Sequence, residues 1–186
     1  SKKLECYIPK KNEIYILIKQ GHIASKIIDF ILKKSKKLVN KESYINNRKK
    51  FLESNESVKF LKIQPYVKKF LKKLKKNNFC VIIATLRKNE NIIRKFIKNE
   101  NIDDYIDHIY CNIYSKSDTR KLNNAYKIKK KIFTKILNKK IAKITSIGNS
   151  DIDKNVSDYF NLKYIDINSI NKDNHAFRDL YRLVSD

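Results

Sequence analysis

Apolar residues in this chain recur at two spacings, and the alternation between them sets the expected architecture. Ile23, Ile27, Ile28, Ile31 and Leu32 share one face of a helix predicted over Ile23–Lys37. Val67, Phe70, Leu71 and Leu74 do the same over Tyr66–Lys76, where Pro65 suits the opening turn and Asn77-Asn78 the end. A third helix starts at Lys88-Asn89-Glu90 and turns Ile92, Ile93, Phe96 and Ile97 inward. A fourth, Tyr126–Leu137, carries Ile128, Ile132, Phe133, Ile136 and Leu137 on one face. Val156–Phe160 and His175–Val184 read as shorter helices.

Between these lie short apolar runs of strand type: Glu13–Ile18, Phe79–Ala84, His108–Tyr114, Ile141–Ile147 and Leu162–Ile167. FCVIIA (79–84) is continuous, the mark of a strand covered on both faces, and places Cys80 in the core. Strands alternating with helices from residue 13 onward predict an α/β domain with a parallel sheet flanked by helices, one domain over 1–186. The polar stretch 39–60, with sparse apolar residues, reads as one or two short helices forming a small cap or insertion.

Ile141–Ile152 is the stretch around which the chemistry gathers. An apolar strand ends at Gly148, and Asn149, Ser150, Asp151 and Asp153 follow. Acids just past the carboxyl end of a strand are where open α/β sheets place their sites. The chain has 2 glycines, Gly21 and Gly148, each after a strand-like run. Both are expected to serve backbone angles that other residues avoid.

Charge changes the picture next. Lys+Arg number 43 against 19 Asp+Glu, a formal charge of +24. An AT-rich coding sequence would by itself enrich Lys, Asn, Ile, Tyr and Phe. The excess over acids goes further and points to a polyanion, nucleic acid above all. Lys2, Lys3, Lys10, Lys11, Lys33, Lys34, Lys36 and Lys37 cluster around the first strand and helix and are the expected phosphate contacts. The lysines of Tyr66–Lys76 read as a solvated face. Tyr44, Tyr66, Tyr105, Tyr114, Tyr126 and Tyr181 stand among lysines and could stack on unpaired bases, although most sit at packing spacings.

Other chemistries are thin. Cys6, Cys80 and Cys111 form neither a disulfide framework nor a zinc pattern, and suit a reducing, intracellular compartment. Two glycines cannot build a Walker loop or a G-x-G-x-x-G turn, and no G-x-S-x-G occurs. Asp103, Asp104 and Asp107 read as an acidic turn rather than a metal cluster. No run of about 18 apolar residues predicts a membrane span, and no cleavable signal peptide shows.

Gln64–Asp107, with a helix leading to a strand that ends at Thr85, and Ile144–Ile167 (ITSIGNSDIDKNVSDYFNLKYIDI) together resemble the second and fourth motifs of the haloacid dehalogenase-like (HAD) hydrolase superfamily. Gly148, Ser150 and Asp153 match G-D-S-x-x-D, with Asn149 in place of the first acid. The resemblance covers roughly residues 13 to 170. It implies a Rossmann-like parallel sheet, a motif lysine at Lys127 (or Lys121), and Mg²⁺ held in part by Asp153, with Asp151 as a candidate helper. It also implies D-x-D after the first strand, one aspartate attacking phosphorus and the next serving as acid/base. Aligned on Gly21, those positions are Ile18 and Gln20. Isoleucine has no nucleophile, and glutamine does not exchange protons near neutral pH.

The expected reading is therefore a HAD-like domain that has lost catalysis and binds RNA. It would act without a cofactor, as a basic component of a ribonucleoprotein such as an organellar ribosome, alongside RNA and protein partners and away from membranes. The competing expectation is a Mg²⁺-dependent phosphatase of nucleotides or phosphosugars.

Overall fold

The structure, a computed structural model, describes residues 7–10, 13, 24–35, 39–112, 122–139, 143–167 and 176–183. It falls into two compact units, 1–54 and 55–186, so the boundary lies inside the predicted 39–60 insertion.

The described regular elements of the first unit are helices. Helix α1 (Ala24–Lys34) buries Ile28 and Ile31, with Ile27 and Leu32 half-buried beside them. Helix α2 (Lys41–Leu52) starts at Asn40, whose side chain accepts from the N–H groups of Glu42 and Ser43, and it has no buried residue. Lys41 at its start forms an exposed ion pair with Asp29 of α1. Glu13 is helical rather than the start of a strand. The rest of the predicted strand Glu13–Ile18, and Gly21, lie outside the described residues.

The second unit is mixed α/β. After a 3-10 turn at Asn55–Phe60 come α3 (Val67–Lys76), β1 (Ile82–Ala84), α4 (Glu90–Asn99), a 3-10 turn at Asp103–Tyr105 and β2 (His108–Tyr110). Then follow α5 (Leu122–Leu137), β3 (Thr145–Gly148), α6 (Asp151–Tyr159), β4 (Lys163–Asp166) and α7 (Ala176–Leu183). β1 pairs in parallel with β2 (Ile83 opposite Ile109), and β3 with β4 (Ile147 opposite Ile165). The described residues thus show two parallel two-stranded sheets.

The β1–β2 pair is covered on both faces, as its apolar run predicts. Ile83 and Ile109 pack with Leu71 of α3 and with Ile93 and Ile97 of α4. Ile82, Ala84 and Tyr110 turn the other way, onto Ile128, Ile132, Phe133 and Ile136 of α5. Val156 of α6 joins this second cluster, as do Ile144 and Leu162, the residues just before β3 and β4. Phe70 of α3 meets Phe177 of α7 with ring centroids 5.8 Å apart.

Three helices end alike. Asn78, Asn101 and Asn161 adopt left-handed backbone (φ 59, 51 and 52) one residue past the caps of α3, α4 and α6. The following N–H groups, of Phe79, Ile102 and Leu162, reach back to the carbonyls of Leu74, Ile97 and Ser157 at 2.9, 3.1 and 2.9 Å. This is the Schellman stop, with asparagine where glycine is usual.

Four expectations change. Phe79 and Cys80 are exposed, because Phe79 is used to close α3 and the strand ladder begins only beyond it. Tyr66, not Pro65, stands at the entrance of α3, with φ 68 and no side-chain cap. In β3 the inward positions are Ser146 and Gly148, leaving Ile147 36% exposed. Gly148 also has no left-handed φ: it is required for space, because a Cβ there would lie 2.5 Å from Cβ of Asp153.

Candidate functional site

The carboxyl ends of β1 and β3 are joined by one side chain. Lys129 of α5 donates through Nζ to the carbonyl of Ala84, the last residue of β1, at 2.8 Å. The same Nζ lies 2.9 Å from Oδ1 of Asp153, in the first turn of α6 just beyond β3. The two side chains are 12% and 16% exposed, so water screens this pair far less than a surface pair.

Local sequence builds the acid's side. Ser150 caps α6, its Oγ accepting from the N–H of Asp153 at 3.3 Å and donating to Oδ2 of the same residue at 2.7 Å. Serine at the cap and an acid three residues on is a near relative of the capping box, and a carboxylate in the first turn also suits the helix dipole. Gly148 lets the carboxylate fold back against the strand end, where any Cβ would collide with it. From β4, Tyr164 donates its hydroxyl to the carbonyl of Ser150 at 3.4 Å. Burial, then the carboxylates of Asp166, Asp153 and Asp151, raise its pKa above the ordinary tyrosine value, which keeps the hydroxyl a donor.

Thr85 continues the β1 ladder through its N–H to the carbonyl of Tyr110 (2.9 Å), and its Oγ1 accepts from the N–H of Arg87 (3.2 Å) in a small turn. Asn112, after β2, is 2% exposed; its backbone N–H donates to the carbonyl of Arg87 at 2.9 Å, and among the described residues its side-chain nitrogen and oxygen have no hydrogen-bond partner.

Of the residues expected at this site, Asp153 and Thr85 lie at the strand ends, and Asn149 lies between Gly148 and the cap. Lys127 is exposed. Ile18, Gln20 and Lys121 lie outside the described residues. Lys129 has the place that the motif spacing suggests for Lys127, and helix geometry explains why. Ala125, Ile132 and Ile136, at i−4, i+3 and i+7 from Lys129, are all buried. A lysine inside an apolar stripe needs a partner, and that signal is present in the sequence.

The donor set does not fit Mg²⁺, which takes near-octahedral oxygen ligands, usually including one or two carboxylates. Both Asp153 oxygens are engaged, one by an ammonium. Among the described residues no group of three or more His, Cys, Asp or Glu is arranged to hold a metal. Asp107 instead receives Nζ of Lys75 (2.6 Å) and the N–H of Val81 (2.7 Å), and both hold its carboxyl below the usual carboxylate range.

The basic positions divide. Lys2, Lys3, Lys11, Lys36 and Lys37 lie outside the described residues. Lys10 and Lys33 are exposed. Lys34 is occupied: it pairs with Glu13 at 2.8 Å and lies over the rings of Tyr7 and Phe30 at 5.1 and 4.7 Å. On α3, Lys73 lies 4.4 Å from the Tyr181 ring centroid and Lys75 pairs with Asp107, while Lys68, Lys69, Lys72 and Lys76 are exposed. Of the tyrosines singled out, Tyr66 and Tyr181 are exposed, and Tyr44, Tyr105 and Tyr126 are half-buried. Tyr114 is outside the described residues. No described helix is long and apolar enough to cross a membrane. Comparison with protein-family models, curated proteins and solved structures gave no match to this chain.

Proposed function

We propose that the chain is a HAD-like domain without the family's catalysis, serving as a basic RNA-binding component of a ribonucleoprotein. An organellar ribosome is the concrete assembly, and its RNA and proteins are the partners. The observation that carries the loss of catalysis is the missing acid pair of the first motif, and the Asp153 carboxylate is in addition engaged by Lys129 and Ser150, which ties the ends of β1 and β3 together. The aligned nucleophile and acid/base positions, Ile18 and Gln20, hold no acid. A charge of +24 then suggests the retained role, neutralising phosphate without reading sequence. One Rossmann-like sheet is the finer form of this reading. It is supported by α5, whose apolar face packs on residues of β1 and β2 and on Ile144 and Leu162, which lead into β3 and β4.

The test is sedimentation of the native protein from its source extract at about 0.1 and about 0.5 M salt, a range over which phosphate contacts weaken steeply. Migration in an RNA-containing particle at the lower salt is the expected result. A small free species at both salts defeats the proposal.

A second reading has one observation in its favour. Lys129 links Asp153 to the end of β1, next in sequence to Thr85, and the phosphatase members of the resembled family would place these three residue types at strand ends. That reading needs Asp153 released from its present partners. It predicts Mg²⁺-dependent phosphate release from a generic phosphomonoester, abolished by Asp153→Ala.

A further inference from the structure

Phosphate neutralisation alone gives no preference among RNAs, but the entrance to α3 supplies one. Ile63, Gln64, Pro65, Tyr66, Lys68 and Lys69 line an open concavity of about 500 Å³, within the size range of small-ligand sites. Its lining combines apolar side chains, an aromatic ring and two ammonium groups, with no carboxylate. Tyr66 is 37% exposed, and Nζ of Lys69 lies 5.5 Å from its ring centroid. The backbone of Tyr66 is left-handed at φ 68, costly for any residue with a Cβ, and its side chain makes no capping bond in return. The segment thus holds an aromatic ring part-exposed beside a cluster of positive charge. That charge is large, since α3 carries six lysines and no acid, and among the described residues Lys73 and Lys75 are drawn to Tyr181 and Asp107 and Lys69 to the Tyr66 ring.

Resting on the RNA-binding reading above, we propose that this concavity takes an unpaired nucleotide of single-stranded RNA. Tyr66 stacks on the base, and Lys68 and Lys69 meet the flanking phosphates. Aromatic stacking beside a basic groove is the general chemistry of single-strand binding, and it tolerates any base because each has a π-face. An acidic peptide would satisfy the lysines but offers no flat base to stack on the ring. Duplex RNA would present no unstacked base.

The experiment uses the full chain, a fluorescent oligouridine of about 12 nucleotides, within the range of single-strand site sizes, and a duplex RNA of equal length, with dissociation constants from anisotropy. Tyr66→Gly removes the ring and relieves the left-handed backbone, so the fold is not penalised. The expected result is about 5- to 100-fold weaker binding of the single strand, an unchanged duplex affinity, and wild-type binding by Tyr66→Phe. Lys68→Gln/Lys69→Gln is expected to lower the slope of log affinity against log salt by about 1.4, at about 0.7 per single-strand phosphate. Wild-type single-strand affinity in Tyr66→Gly overturns the site and leaves the RNA reading standing. Failure of the wild-type chain to bind either RNA at low salt overturns both. Competition by an oligoglutamate peptide that is equally sensitive to Tyr66→Gly overturns the choice of RNA in favour of an acidic protein partner.

Discussion

At the scale of single residues, the junction of β3 and α6 turns on Gly148, Lys129 and Asp153. An alanine at 148 would bring Cβ to 2.5 Å from Cβ of Asp153, an atom fixed to the backbone rather than a mobile chain end. Gly148→Ala should therefore cost about 1–3 kcal/mol, as overpacking does, and urea unfolding checks it. The Lys129–Asp153 pair makes a sharper case, because breaking it strands a partly buried charge. Lys129→Met and Asp153→Asn should each lose about 2–3 kcal/mol, somewhat below the fully buried case, while the double variant should lose clearly less than their sum. Additive losses in that cycle would mean the two side chains are not coupled. Lys129 also shows what the chain reveals at this scale. Motif spacing favours Lys127, whereas the buried neighbours at i−4, i+3 and i+7 mark Lys129. Gly148 stands out in the sequence, but for the wrong reason: backbone angles are expected there, whereas the need is for space, and its cause, the returning carboxylate of Asp153 further along the chain, is visible only in three dimensions.

At the scale of elements, helices are far more legible than strands, and for a physical reason. A helix declares itself through a stripe and its caps within a few turns. Asn89 accepts from the N–H of Asn91 at 3.1 Å, where the sequence places the start of α4, and α5 buries the predicted Ile128, Ile132, Phe133 and Ile136. A strand's limits depend on where its partner runs. FCVIIA delivers only Ile82–Ala84 because the partner strand starts at His108 and Phe79 is taken by the end of α3. The helix ends carry a prediction of their own. Left-handed asparagines at 78, 101 and 161 are strained relative to glycine in this glycine-poor chain. Asn→Gly at each should stabilise by about 0.5–1 kcal/mol net of the extra unfolded-state freedom, with near-additive gains on combination, read as rising urea midpoints. Falling midpoints would show that the asparagine side chains contribute something glycine cannot.

In the first unit, one carboxylate ties Tyr7 and Lys10 to the end of α1. Glu13 accepts from Nζ of Lys34, from the Tyr7 hydroxyl (2.6 Å) and from the Lys10 N–H (2.8 Å), and these bonds lower its pKa from 4.5 to about 2. A folded-state pKa below the unfolded value binds fewer protons in the native state. The contribution is therefore complete above pH 4.5 and lost as pH falls through about 2. Carboxyl NMR titration should find Glu13 still ionised at about pH 3, between those two values. Glu13→Gln should flatten the acid limb of stability in that window, and an ordinary glutamate titration would refute the cluster.

At the scale of the whole molecule, the question is whether +24 is a property of codon usage or of a binding surface. The two make different demands on where the charge sits. Compositional lysine should scatter and find acids by chance, as Lys34 and Lys75 have. A binding surface should leave neighbouring lysines exposed on one element without acids among them, as Lys68, Lys69, Lys72 and Lys76 are on α3. The sequence alone favours the first helix and its surroundings for phosphate binding, because lysine density is all that a linear count sees. The structure separates density from availability, since Lys34 is held by Glu13 and two rings. The consequence is a comparison of two charge reversals against single-stranded RNA. Lys68→Glu/Lys72→Glu/Lys76→Glu should reduce the salt slope by about 2, at about 0.7 for each phosphate no longer neutralised, whereas Lys10→Glu/Lys33→Glu should change it by less than about 1. Equal slopes for both variants and the wild type would make the charge a delocalised consequence of composition, and would leave α3 with only the solvated face that its sequence first suggests.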